Sequence, residues 1–530
     1  MSKKILSLIL AAVMLFGALA MTGCTLFDKT EPTATDDRLP TTLNVVGITE
    51  ASTTPEAVAA VEAEINKILV ARYETKIKLT LVTEDEYYKL IDERIAEKKH
   101  LDNLDAAVAQ YNKYMQKLAD EQTKLAASIS KKSRSKWKKD NVTIPAETVS
   151  TRLRYTAEQT TVDEGGIISI VYPDPESPID IVMVAGKDMY DYFDKNAIIA
   201  SISSYLKTEN YQKLNQYIYP TYFTQMSAMT GDVKAVPSNN LLAEYTYIVV
   251  KKDLADKYGF NIENVSNYSD LSAFLASVKE NESIKPMKEA PEALGIFYPF
   301  GKDVAIAAYA DPMYGYNVEE DKKFTINNLF DIPQYTDHLK LMSEYTELGY
   351  FDGEGDSFAV AAVVGDASVE KTYGDDYYVK VVQNPFVTET DIFEGMLAVS
   401  AYTSSEERSL EVIQAFSTTP ELKNLLQYGI KDVNYSVNDD GLTIKRLNSD
   451  YMMNTSLTGN VYMGYPDEGQ YGDQWSYYKV TNLSSLLSPF LVYYMNDDTV
   501  DGEMNNIFKR VALEEAFGNV GTTYDWYLEN

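Results

Sequence analysis

The sequence predicts an α/β protein of two or three domains, with a parallel sheet at its start. Three observations carry this. Strand and helix patterns alternate from Leu43 onward, as in parallel strands joined by crossover helices. Some strands are wholly apolar, Ala359 to Val364 among them, as buried strands are. The chain has 530 residues, 45% of them apolar, which is too many for one simple core.

The elements follow in order. Leu43 to Ile48 is a strand and Thr49 to Thr54 a loop. Pro55-Glu56 starts a helix that runs through Leu69. Ile77 to Val82 is the next strand, and a helix begins at Glu84. Leu101, Leu104, Val108, Tyr111, Met115 and Leu118 then recur at 3-4-3-4-3, with Leu125 and Ile129 in register. That is a heptad stripe, which needs a partner surface. It ends in Lys131, Lys132, Arg134, Lys136, Lys138 and Lys139 around Trp137. This is either a solvated helix tip or a contact for anionic cell wall or headgroups. Alternation resumes at Ile167 to Val171. Pro178 to Val184 is a strand with the loop Ala185 to Asp188 after it. Gly231 to Pro237 turns into a short strand, and Thr246 to Val250 is another. Lys252 to Tyr258 is a helix ended by Gly259. Ser269-Asp270-Leu271 opens the next helix with a polar cap. A helix from near Asp331 closes at Gly349, and a strand-helix unit runs from Met396 to Phe416. The chain ends in aromatic-rich loops and a helix from Met504 to Phe517.

The N-terminus reads as a secretion signal. Lys3 and Lys4 form its positive region and Ile5 to Ala20 its apolar region. Met21-Thr22-Gly23-Cys24 resembles a lipobox, with methionine where leucine is usual. The resemblance implies cleavage before Cys24 and a diacylglycerol on its thiol. Cys24 is the only cysteine, so no disulfide is available. Thr25 to Thr42, rich in Thr, Asp and Pro, is a tether. The formal charge of -31 argues against nucleic-acid binding and suits a solvated surface protein. The 41 tyrosines offer apolar faces with hydroxyls, the chemistry that ring-shaped polar ligands need.

Several stretches together resemble a known family. They are Ser177 to Val182, Ile202 with Leu206, and Gly231 to Pro237. Thr246 to Gly259, Tyr335 to Tyr350, and Val399-Ser400 with Glu406, Arg408 and Leu410 continue the series. Their order is similar to that of the extracellular solute-binding lipoproteins of ABC importers, in the sugar-binding branch (family 1). The resemblance spans most of residues 43 to 435 and leaves about 98–176 as an insertion. It implies a two-lobed periplasmic-binding-protein-like fold (type II), with a long helical insertion in the first lobe. Residues 1–23 are then signal, 24–42 tether, 43–245 the first lobe and 246–349 the second. Residues 350–385 return to the first lobe, and 386–530 belong mainly to the second lobe and a C-terminal segment. The hinge is expected near Val236 to Thr246.

Loops at the carboxyl ends of the strands should line the cleft. The candidates for ligand contact are Glu50, Asp188, Asn239, Asn240, Tyr245, Tyr298 and Trp475. Thr49, Lys187, Ser238, Glu244, Tyr309 and Tyr314 are their neighbours. Carboxylates and carboxamides hold adjacent sugar hydroxyls, and aromatic faces stack on pyranoses. The expected protein captures a neutral oligosaccharide and hands it to ABC permease subunits. It is expected to be a monomer, anchored by lipid at the extracellular face of a Gram-positive-type membrane. A peptide or other solute on the same scaffold is the alternative, as is a surface adhesion or structural lipoprotein. No enzyme is expected. His100 and His338 have no visible metal or catalytic partner, and no hydrolase or phosphate-loop motif occurs. The acidic run Asp497 to Glu503 resembles a calcium loop, but Phe508 stands where its final acid should be. No cofactor or metal is expected.

Overall fold

The computed structural model describes residues 41–96, scattered positions within 98–117, two short strands within 160–170, and residues 179–293. It also describes three short strands between 297 and 328, residues 333–488 except 354, and residue 491. Cys24, the tether, nearly all of the heptad stripe and its basic end, the run Asp497 to Glu503 and the helix from Met504 lie outside these residues.

The first body is built on β1 (Thr41–Ile48) and β2 (Thr75–Val82), paired in parallel along their full length. The helix Pro55–Tyr73 connects them. The Thr54 hydroxyl accepts from the Ala57 N–H, and Glu74 closes the helix in the left-handed conformation. Val61, Ile65 and Leu69 bury one stripe of it against the sheet. A helix over 84–96 follows and buries Tyr87, Ile91 and Ile95 at the same spacing. The hairpin β3 (Thr160–Val162) and β4 (Ile168–Ile170) stands apart. β5 (Ile181–Val184) then pairs in parallel with the other edge of β1. β6 (Val236–Pro237) is the far edge, and the sheet order is β2-β1-β5-β15-β6, where β15 is the later strand Met396–Val399.

The second body begins with β7 (Tyr245–Lys251), seven residues after β6 ends. β8 (Lys285–Met287) joins its sheet. β9 (Phe297–Pro299), β10 (Ile306–Tyr309) and β11 (Thr325–Asn328) form a separate antiparallel sheet. β12 (Phe358–Gly365) and β13 (Tyr377–Gln383) flank β7 antiparallel, giving the order β13-β7-β12-β8. The helices Lys252–Tyr258, Ser272–Asn281 and Pro333–Glu347 cover it, with Leu275, Val278, Met342 and Tyr345 in its core. His338 lies on the last of these helices. Burial pushes its pKa down to about 4, so it is a neutral packing residue beside the Tyr268 ring.

The chain returns through β14 (Phe386–Val387) to β15 (Met396–Val399), which pairs antiparallel with β5 and β6. Two expectations are corrected here. Residues 350–385 do not return to the first lobe, because the apolar run of β12 is claimed on both edges by strands of the second sheet. The described residues after 386 do not belong mainly to the second lobe. β15 and the helices Glu406–Thr418 and Pro420–Tyr428 bury Leu397, Leu410, Ile413 and Leu426 in the first core. An apolar strand signals burial, but its composition does not say which sheet buries it. β16 (Tyr435–Val437) and β17 (Ile444–Arg446) form a small hairpin, and β18 (Leu486–Leu487) pairs with β14.

Candidate ligand-binding site

The crossing segments meet around Glu394, just before β15. The Asn240 amide donates to both Glu394 oxygens, at 3.1 and 3.0 Å, and to the Ser456 hydroxyl at 3.0 Å. The Ser456 hydroxyl in turn donates to Glu394 at 2.8 Å. Gly395 makes this approach possible, since a β-carbon there would collide with the Ser456 carbonyl. The helix Gln474–Ser484 forms the opposite wall. Asn482 donates to the Asn240 carbonyl at 3.0 Å and to the Tyr462 hydroxyl at 3.2 Å, and it accepts from the Leu242 N–H at 2.8 Å. The same helix reaches the end of β12, where Gln474 donates to Asp366 at 2.5 Å and Thr481 accepts from the Ala367 N–H at 3.0 Å. It is therefore bonded both to the 238–244 crossing and to the second sheet.

Three aromatic rings line this wall. Trp475 meets Tyr478 edge to face at 5.4 Å and Tyr462 at 5.8 Å. Trp475 and Tyr478 share a helix face because they lie three residues apart. The indole N–H is fixed by the Gly464 carbonyl at 2.8 Å, and Lys479 sits over the Tyr462 ring. Carboxylates lie near Tyr478. Burial and the charges of Asp366, Glu394 and Glu244 push the Tyr478 hydroxyl up to about 12.

Glu244, Glu394 and Lys479 are exposed. Even so, protein surrounds them closely enough for desolvation to raise the two carboxyls and lower the amine. Solvent contact combined with dense surroundings is what the wall of a concave site gives. Asp391 is more enclosed. Burial, with the Glu394 and Glu244 charges behind it, pushes its carboxyl up to about 6 against two bonds from Thr388. The folded state therefore binds this proton more tightly than the unfolded chain does. The stabilisation it brings is complete below the ordinary value of 3.8 and is lost as pH rises through about 6. In parallel melts, wild type should gain stability relative to Asp391→Asn as pH falls from about 7 to about 5. A constant gap between the two would show that the carboxyl titrates normally.

Of the residues singled out from sequence, Asn240 and Trp475 stand in this site. Asn239 does not. Its φ of 58° turns the side chain into the fold, where it accepts from the Tyr219 N–H and donates to the Tyr217 carbonyl and to Asn460. Both amide donors and one acceptor site are taken, and the residue is buried. Tyr245 is also corrected: it is buried at the start of β7 and packs on Tyr247 at 5.4 Å. Glu50 is exposed after β1, where its N–H donates to the Met452 carbonyl at 3.1 Å, and no described bond joins it to Glu394. Asp188 is exposed on the first turn of the helix Gly186–Lys195, likewise without a described bond to the cluster. Its neighbour Lys187 is held between Asp191 and Glu389. Tyr298 lies on β9, opposite Ala308 of β10. Glu394, Asp391, Ser456, Tyr462 and Tyr478 were not singled out. Only Tyr478 carried a signal, its spacing from Trp475.

No family model matches the sequence. A carbohydrate ABC transporter substrate-binding protein of Streptococcus pneumoniae serotype 4 is 25% identical over 370 residues, 64% of this chain and 74% of that protein. The crystal structure of an N-glycan transport solute binding protein from Streptococcus pneumoniae superposes with a TM-score of 0.56. That match covers 91% of each chain at 17% identity. The chain is thus similar in sequence to a substrate-binding protein of an ABC transporter and in fold to a solute-binding protein. The two-lobed α/β fold implied by the sequence resemblance is borne out, and the helical insertion lies outside the described residues. The Glu394 cluster lies among the segments that pass between the two bodies. Among the described residues, no group of three or more His, Cys, Asp or Glu could hold a metal ion.

Proposed function

We propose that this solute-binding protein captures a neutral oligosaccharide and delivers it to the permease subunits of an ABC importer. The observation that carries this reading is the wall of Tyr462, Trp475 and Tyr478 facing Asn240 and Glu394. Aromatic faces take the apolar faces of pyranose rings, while a carboxylate and a carboxamide satisfy adjacent hydroxyls. Kinship supports it: the relative is named for carbohydrate transport and the structural neighbour for N-glycan transport. Closure of the two bodies would bury the ligand. The activity is binding without turnover, by a monomer held at the extracellular face of the membrane through lipid on Cys24.

Calorimetric titration of the mature chain against panels of neutral glycans and peptides tests this. Saturable glycan binding with no product in the cell is expected. Binding of peptides alone, or glycan cleavage, would overturn it. Cys24→Ser should move the protein from the membrane fraction to the medium, and retention in the membrane would refute the anchor.

A further inference from the structure

The helix Pro420–Tyr428 buries two neighbouring stripes. Leu422 and Leu426 enter the first core. On the adjoining stripe Lys423 and Gln427, one turn apart, are also fully buried, a rare position for lysine. The Lys423 amine donates to the Thr455 carbonyl at 2.9 Å, the Thr458 hydroxyl at 2.6 Å and the Gly459 carbonyl at 3.0 Å. Three acceptors match the three N–H bonds of an ammonium. Burial pushes its pKa well below that of free lysine, and Asp467 opposes this by charge alone. The Asp467 carboxylate is engaged instead by the Thr455 hydroxyl, at 2.6 Å.

The rest of this helix face holds the same segment. Gln427 donates to the Thr455 hydroxyl at 2.9 Å, Asn424 accepts from the Tyr465 N–H at 3.0 Å, and Tyr428 donates to the Tyr465 carbonyl at 2.9 Å. That segment supplies one side of the ligand site. It carries Ser456, which bonds Glu394 and Asn240, and Asn460, which bonds Asn239. It also carries Tyr462, and Gly464, whose carbonyl fixes the Trp475 indole.

We propose that Lys423 is a positioning residue of the ligand site, whose amine sets residues 455–459 so that Ser456, Tyr462 and Trp475 stand in binding geometry. Lys423 itself does not touch the ligand. The part concerning affinity rests on the oligosaccharide reading above. The part concerning geometry does not.

Lys423→Met keeps an unbranched side chain, one atom shorter, and removes all three donors. The Trp475 indole N–H reports on the segment without any ligand. The chain has three tryptophans, so its nitrogen-15 indole signals are few, and Trp475→Phe assigns the one needed. In folded Lys423→Met, the Trp475 indole signal should shift and exchange faster with solvent. Affinity for the glycan bound by wild type should fall roughly tenfold or more. An unchanged Trp475 signal in the folded variant overturns the proposal. If Lys423→Met does not fold, Thr458→Val removes the 2.6 Å acceptor together with that hydroxyl's own 3.0 Å bond to the Thr455 carbonyl, and leaves the other two Lys423 bonds. It should move the same signal in the same direction by less, and no movement again overturns the proposal. If wild type binds no glycan, the oligosaccharide reading fails, while the indole signal still decides the role of Lys423.

Discussion

Trp475→Ala is expected to weaken glycan binding by about 5- to 150-fold, the equivalent of roughly 1 to 3 kcal/mol for one lost stacking face. The residue is partly exposed, which leaves ring surface for a sugar. It is also held by Tyr462, Tyr478 and the Gly464 carbonyl. The substitution should therefore cost stability as well, about 2 kcal/mol, below the roughly 3 to 5 kcal/mol of a fully buried aromatic. Both quantities are measured on one variant, the first by titration and the second by denaturant unfolding. A folded Trp475→Ala protein with wild-type glycan affinity would remove the ring from the site. A stability loss without any affinity loss would make it a packing residue of the C-terminal segment.

Tyr87→Phe should destabilise the protein by about 2 to 3 kcal/mol through the loss of a single oxygen. Tyr87 is fully buried on the helix over 84–96. Its hydroxyl donates to the Met183 carbonyl at 2.7 Å, lies 3.2 Å from the Val46 carbonyl, and accepts from the Met183 N–H at 2.9 Å. β1 and β5 are in register only at Val45–Ile181 and Val46–Val182. Beyond that point the hydroxyl takes the place of ladder bonds between parting strands. Phenylalanine fills the same space but leaves buried main-chain groups unpaired, which is the costly form of hydrogen-bond loss. Glycan affinity of the folded variant should match wild type, because Tyr87 lies away from the Glu394 cluster in its bonds. A loss below about 0.5 kcal/mol would mean that water or relaxation satisfies the Met183 groups.

Much of the fold was legible because local pattern and final environment agree. β5 and β7 are largely apolar runs, β1 is apolar apart from its threonines and Asn44, and β2 alternates polar and apolar residues. The helix Pro55–Tyr73 announces itself with proline at its start and a stripe at 61, 65 and 69. The ligand site was less legible. Asn240 and Trp475, singled out from sequence, fall in the candidate site, one from its place after a short strand and the other from its chemistry. Their neighbour Asn239 has the same chemistry as Asn240, but a left-handed backbone angle turns it inward. No propensity separates two adjacent asparagines in this way. Glu394 looked like any acid before a strand, until Asn240 and Ser456, distant in sequence, closed on it.

Local order along the chain specified the alternation of strands and helices, the burial of the apolar runs, and the resemblance of their order to that of solute-binding proteins. Each of these depends on near neighbours in the chain or on a pattern read along it. Tertiary structure alone decided which sheet received β12 and where the chain returned through β15. It also put a lysine at 423 to work inside the fold. These outcomes turn on long-range pairing, where apolar strands are nearly interchangeable by composition. A buried polar group there is tolerated only when remote residues supply its partners.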